Sequence, residues 1–448
     1  MTLLALVVFL LPGRSTAAGL ADELQDQVQE ILSRDGPYSQ RLLEPLTTLG
    51  LHYQESNDLL LALATLERAV QIVRINSGLH TLEQVPLTRQ LIRIEEARGN
   101  DTGAWQREQK LLTLLRRHLD DLQTVPVLRE IADKQMEVLN AVLAGARPVQ
   151  VLLGCFYQEW PHQDSADCHS GSRKTVIQGM LAEAQRNYAD AIGVLLQHGL
   201  YASDELRDLE LRVLRGVDLL RTRNEDPSFG YPVPMVPPYL NTASIEPWRS
   251  RIAPVAALAE WQPPQHRALA EHIAQGVSSR QVEMMSPYQR GRQSLERIYE
   301  YGAASSSPSL SQADAIVQLA DWDLLHSHNG QALQSYTAAY AMLEQAGTAP
   351  ASIAQLFSPE MPVVLPAFQP NPLLSNETRP PTGHIDVAFE ITQYGRGREI
   401  EVRDAANATA EETERLVSLI KSNRFRPRLT DGHLAAAAPV VLRYYVYE

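Results

Sequence analysis

Two hydrophobic periods divide the chain. From Gln25 to about Gly347, apolar residues recur at three- and four-residue spacing, which predicts helices. Near the end the period changes to two. Over residues 384–392, Ile385, Val387, Phe389 and Ile391 alternate with His384, Asp386, Ala388, Glu390 and Thr392, the pattern of a half-buried strand. "QYGRG" supplies a turn and "REIEVR" alternates again with Ile400 and Val402 on one face, so a hairpin is expected. "TAEETERLVSLIKSN" then sets Thr409 three residues before Glu412, a capping-box spacing, and puts Leu416, Leu419 and Ile420 on one side of a helix. "RFRPRL" and an alternating "PVVLRYYVYE" follow. The predicted order is strand, strand, helix, strand.

Proline-rich passages punctuate this pattern. "DPSFGYPVPMVPPY", residues 226–239, has five prolines and several aromatics, and reads as an extended surface loop. "SPEMPVVLPAFQPNPLLSNETRPP", residues 358–381, has seven and reads as a linker. A helical region over 22–357 and a small α+β domain over 382–448 are therefore expected on either side of it. Pro86 and Pro126, each in a Val-Pro pair, fall at early helix positions, where a missing amide hydrogen costs little.

The helical region repeats itself. "LLEPLTTLGLHYQESNDLLLALATLERAV" places Leu49, Gly50, Tyr53, Ala62, Leu66 and Ala69 at the offsets of the tetratricopeptide repeat, which this segment resembles. The resemblance implies paired antiparallel helices, with Gly50 against Ala62 and Tyr53 and Leu66 beside them. "LADWDLLHSHNGQALQSYTAAYAML" repeats the spacing with Leu319, Ala320, Ala332, Tyr336 and Ala339, and departs at Asp323, where an aromatic is usual. Two weaker copies set Leu91 against Ala104 and Gly179 against Ala191. Four or five helical hairpins are expected, stacked as a solenoid because no single pair can bury its own face.

The terminal segment has its own resemblance. Phe389 in the first strand, Gly395 in the turn, Phe425-Arg426-Pro427 after the helix and the aromatic-rich last strand are similar to the C-terminal domain of TonB and related periplasmic proteins. The likeness covers about 65 residues. It implies partner contact through exposed sheet edges, by addition of a strand, and leaves a homodimer through this domain open. The fold class expected is mostly α, a tetratricopeptide-like helical-hairpin solenoid, followed by a small α+β TonB C-terminal-like domain.

Charge narrows the partners. The net charge of −13 argues against a nucleic-acid or anionic-membrane surface and leaves proteins or peptides. Arg290, Arg292 and Arg297 form a modest basic strip, read either as a solvated helix face or as a seat for an acidic peptide. At the N-terminus an apolar run from Leu3 to Leu11, the breakers Pro12-Gly13 and small residues through Ala18 have the layout of a secretory signal. Residues 1–21 are read as that signal, with cleavage after Ala18 or Ala21 and export to the periplasm. Membrane contact is expected only if this segment stays uncleaved.

Candidate chemistry is sparse. Cys155 and Cys168 suit a disulfide in an exported chain, with two free thiols and, less well, a metal site near His162 and His169 as alternatives. His326 and His328 form a pair without a further ligand nearby in sequence. No nucleophile with its base, constrained carboxylate pair, H-E-x-x-H or phosphate loop stands in the sequence, so no cofactor, metal or catalytic residue is assigned. The expected function is a non-enzymatic periplasmic interaction scaffold for protein or peptide partners of the cell envelope. A divergent TonB-type energy transducer, which needs an uncleaved N-terminal anchor in the inner membrane, is the alternative.

Overall fold

A computed structural model describes residues 14–146, 173–200, 203–223, 287–303, 310–369, 373, 380–435 and 437–447. The described chain is mostly helical and ends in a small antiparallel three-stranded sheet. It divides into two compact units, Met1–Val194 and Leu195–Glu448. The signal residues 1–13, both cysteines with His162 and His169, and the proline-rich loop 226–239 lie outside the described residues.

The first unit contains α1 (Arg14–Asp35), α2 (Leu43–Glu55), α3 (Leu59–Ser77), α4 (Val85–Ala97), α5 (Asp101–Leu115), α6 (Thr124–Leu143) and most of α7 (Arg173–Gln197). Ala18 and Ala21 both fall within α1. Pro86 is the second residue of α4 and Pro126 the third of α6, so neither removes an intrahelical hydrogen bond.

The second unit continues with α8 (Asp204–Arg223), α9 (Pro287–Ala303), α10 (Leu310–Leu325), α11 (Asn329–Gln345) and α12 (Pro350–Phe357). It then adds β1 (Gly383–Thr392), β2 (Gly397–Ala406), α13 (Ala410–Ser422), a two-residue pair β3 (Leu429–Thr430) and β4 (His433–Leu434), and β5 (Ala437–Val446).

Three hairpins share one turn. α2 with α3, α4 with α5 and α10 with α11 are each joined by three residues whose middle member has positive φ: Asn57, Gly99 and Ser327. In each, the third residue's amide reaches back to a carbonyl in the preceding helix, from Asp58 to Tyr53, Asn100 to Glu95 and His328 to Asp323, at 2.8–2.9 Å. This closure satisfies carbonyls that a helix end leaves unpaired. Ala62, Ala104 and Ala332 then occupy equivalent buried places one turn into the second helix.

Packing explains the small residues. Leu49, Tyr53, Ala62, Leu66, Ala69, Ala320, Ala332, Tyr336 and Ala339 are buried, and Leu319 packs partly buried against the core. Gly50 meets Leu66: a Cβ at Gly50 would lie 2.6 Å from the Leu66 side chain. The weak copy around Gly179 and Ala191 is not a hairpin. Both residues lie in α7, a single helix of 25 residues, because the apolar period through Leu181, Ala184, Tyr188 and Ala191 runs on without a turn.

The terminal sheet has the order β2-β1-β5, all antiparallel. Ile385, Val387, Phe389 and Ile391 turn one face of β1 inward, where Val440 and Leu442 of β5 and Leu416 and Ile420 of α13 complete a core. The capping box is present: the Thr409 amide donates to Glu412 at 2.7 Å and the Glu412 amide to the Thr409 hydroxyl at 3.2 Å.

Residues 358–368, in the segment read as a linker, are packed against the terminal domain. Val364 bridges Phe425, the Leu365 amide donates to the Arg424 carbonyl at 2.8 Å, and the Arg426 amide donates to the Val363 carbonyl at 2.9 Å. Arg428 holds the Pro359 carbonyl at 2.8 Å. Prolines at 359, 362 and 366 leave enough amides between them for this pairing, and the extended backbone they favour suits it.

Candidate functional site

The segment Arg424-Phe425-Arg426 organises the terminal domain. It lies between the linker segment and the β1–β2 turn, with the Phe425 amide donating to the Gly395 carbonyl at 2.9 Å. Gly395 has φ of +70°, and a Cβ there would stand 2.2 Å from the Phe425 carbonyl oxygen, so the turn needs glycine on both counts. Phe425 is fully buried, with its ring centroid 5.4 Å from that of Phe389. Pro427 follows, also buried. The five residues that carry the TonB-like resemblance thus form one contiguous corner.

Arg426 leaves the sheet domain for the last hairpin. Its guanidinium donates to Asp321 of α10 from Nε at 3.1 Å and from Nη2 at 2.6 Å, and Nη1 reaches the Leu356 carbonyl at 3.3 Å. The Tyr336 hydroxyl of α11 donates to the same carboxylate at 2.6 Å. Both charges are buried. Burial works against the Arg426 cation, but Asp321 outweighs it and the pKa is raised; burial and then Asp321 push the Tyr336 hydroxyl well up.

Two residues along α10, Asp323 builds a second cluster. The misfit of an acid at an aromatic position is resolved by Arg292 of α9, whose Nη1 lies 2.7 Å from Oδ2, and by the Tyr288 hydroxyl at 2.8 Å from Oδ1. Burial, then Asp323, pushes the Tyr288 hydroxyl up to about 12. Trp322 sits between the two acids, its Nε1 donating to the Tyr288 carbonyl at 3.0 Å. His328 stacks on Tyr288 at 4.2 Å and His326 packs on Trp322 at 4.5 Å, so both imidazoles are part of this aromatic cluster.

The basic strip is not on offer as a surface. Arg292 is held by Asp323 and Glu296, and Arg297 by the fully buried Glu210 of α8, with Nη2 at 2.8 Å from Oε2. Neither the solvated face nor the peptide seat expected for these two residues is present. Spacing along α9 alone does not reveal partners on α8 and α10.

The exposed features lie on the other face and edges of the sheet. β5 pairs with β1 on one side, and among the described residues no strand pairs with its other side. Val441 is 65% exposed and Tyr445 47% exposed on β5, with Arg443 between them holding Asp386 through two bonds of 2.7 Å. His384 lies 3.3 Å from Asp404 beside this pair. The three groups His384, Asp386 and Asp404 are close enough to share a cation, but Arg443 already occupies both Asp386 oxygens.

Neither a known protein family nor a curated protein matches the chain. Among the described residues no helix is long and apolar enough to cross a membrane.

Proposed function

We propose that the protein is a non-enzymatic periplasmic interaction scaffold, in which tetratricopeptide-like hairpins stack as a solenoid and a TonB-like sheet domain receives an extended segment of a cell-envelope partner. The observation that carries this reading is the outer edge of β5: an antiparallel strand of ten residues whose far side pairs with no strand among the described residues and on which Val441 and Tyr445 are exposed. Sequences blunt such an edge with charge, proline or a bulge, because it templates pairing with another chain; in β5, Pro439, whose carbonyl accepts from Arg428 at 3.4 Å, blunts the beginning of the edge and leaves residues 440–446 for docking. A strand added there takes affinity from main-chain hydrogen bonds and selectivity from alternate side chains, of which Val441, Arg443 and Tyr445 are the ones presented. The buried Arg426–Asp321 pair supports a second part of the reading, that the sheet is presented by the last hairpin instead of swinging on a tether.

The test uses the full chain. Affinity capture from periplasmic extract is compared with that of Val441→Lys/Tyr445→Lys, which puts cations on the edge without touching the core. Partners lost in the variant support edge docking; an identical set of partners removes it. N-terminal sequencing of the exported protein checks the compartment, with a mature start near Gly19 or Asp22 expected.

A further inference from the structure

Three arginines converge beside the β1–β2 turn, and among the described residues none of them forms an ion pair. Arg396 and Arg424 are direct bridge partners, so their side chains leave the same face of adjoining strands. Arg398, two residues on, projects to the same side of the strand as Arg396 and stands opposite Glu390 of β1, with which it forms no ion pair. Like charges placed opposite one another are unfavourable, yet among the described residues no carboxylate forms an ion pair with any of the three. Arg424 donates from Nη1 to the Tyr394 carbonyl at 2.7 Å, a neutral acceptor. Burial, and then Arg396, depress the Arg424 pKa.

Arg428 and Arg74 also meet only neutral acceptors among the described residues, but the arginines packed against helices of the repeats are treated differently. Arg107, Arg116, Arg292, Arg297 and Arg426 are all partly or fully buried and each holds at least one carboxylate. With 53 acidic against 40 basic residues, the chain does not lack anions to place beside Arg396 and Arg424. The cluster, with Glu390 across the strand from Arg398, stands next to Tyr394, an exposed aromatic.

We propose that Arg396, Arg398 and Arg424, flanked by Tyr394, form a docking site for an extended acidic peptide segment. Arginine forks carboxylates with two parallel bonds. Residues two apart on a strand are separated by about 6.8 Å, so Arg396 and Arg398 match acids at alternate positions of an extended peptide. A long polyanion is the poorer fit, because the net charge of −13 repels it over a wide area while a short acidic segment meets only the local cations. The proposal rests on the reading that the terminal domain is a docking module, and names the chemistry of what docks.

The probe is a fluorescein-labelled octapeptide of alternating Glu and Thr, with an alternating Gln and Thr peptide as control, titrated against the full chain by fluorescence anisotropy. The Glu peptide is expected to bind, to weaken as salt rises from about 20 to 200 mM, and to exceed the Gln peptide by about tenfold or more. Arg396→Gln/Arg398→Gln, both at exposed positions, and separately Arg424→Gln, are expected to lose that advantage with unchanged circular dichroism. Equal binding of the two peptides, undiminished binding by the exposed double variant, or displacement by inorganic phosphate as effective as by unlabelled Glu peptide would overturn the proposal. If the Glu peptide fails while Val441→Lys/Tyr445→Lys still abolishes capture, the acidic chemistry falls and the docking module stands; if both fail, both readings fall.

Discussion

Arg426 and Asp321, 105 positions apart, form a buried ion pair in which Nη2 donates to Oδ2 at 2.6 Å. The pair crosses from the sheet domain to the last helical hairpin, and the Tyr336 hydroxyl completes the carboxylate's hydrogen bonding. Removing one partner leaves the other charge buried and alone, which is far more costly than never having had the pair. Asp321→Ala is therefore expected to destabilise the second unit by about 3–5 kcal/mol, whereas Asp321→Leu/Arg426→Leu, which removes both charges, is expected to cost clearly less than the sum of its single variants. Urea unfolding of the full chain, followed by Trp fluorescence, measures the cycle. Additive losses would mean the two residues do not act as a pair.

This pair also marks where the sequence stops being informative. The strands and the capped helix of the terminal domain are legible because period-two alternation and a Thr-x-x-Glu spacing are local signals that burial and capping enforce directly. The hairpin turns are less so: Asn329-Gly330 reads as the reversal of the last hairpin, but it opens the second helix, and Ser327, a residue that does not announce positive φ, carries the turn. Asp321 and Asp323 are not legible. An acid on a helix ordinarily marks the solvent side, and only the arrival of Arg426 and Arg292 from distant segments makes burial of these two tolerable. The proline-rich segment misleads in a related way: proline content reports extended backbone, and extended backbone is as ready to pair with Arg424–Arg426 as to hang free.

Glu300 on α9 gives the fold a pH dependence. Burial, and then the neighbouring Glu296 carboxylate, raise its pKa from the ordinary 4.5 to about 7. A carboxyl whose folded pKa lies above its unfolded value favours the folded state while protonated. That contribution is complete below about pH 4.5 and is lost as pH rises through about 7. Glu300→Gln, which stays neutral, is expected to raise the urea midpoint relative to the wild type more at pH 8 than at pH 5. The same difference at both values would show that Glu300 does not titrate in this window.

Two helical glycines have opposite roles. A methyl on Gly50 would sit 2.6 Å from the Leu66 side chain, whereas one on Gly193 of α7 would meet nothing within 4 Å. Overpacking at a tight helix crossing typically costs about 1–3 kcal/mol. Alanine in an open helix interior gains up to about 1 kcal/mol over glycine. Gly50→Ala should therefore lower the midpoint of thermal unfolding and Gly193→Ala should raise it, as read by circular dichroism. Equal effects at the two sites would remove the close-packing account of the α2/α3 hairpin.

Gly395 joins the turn to the core and is expected to be the least replaceable glycine of the terminal domain. Alanine there is strained twice, by φ of +70° and by a Cβ 2.2 Å from the Phe425 carbonyl oxygen, which is backbone and cannot swing aside. The Phe425 amide bonds the Gly395 carbonyl, and residues 424–426 in turn pair with 363–365, so a displaced turn disturbs all three segments. Arg426, at the end of that ladder, then loses its aim at Asp321. Gly395→Ala is expected to cost about 2 kcal/mol or more and to speed amide exchange at Leu365, Phe425 and Arg426 together, while β5 amides bonded to β1 keep their protection. Hydrogen exchange read by mass spectrometry separates this from general unfolding: exchange confined to the turn itself would show that the ladder stands without it.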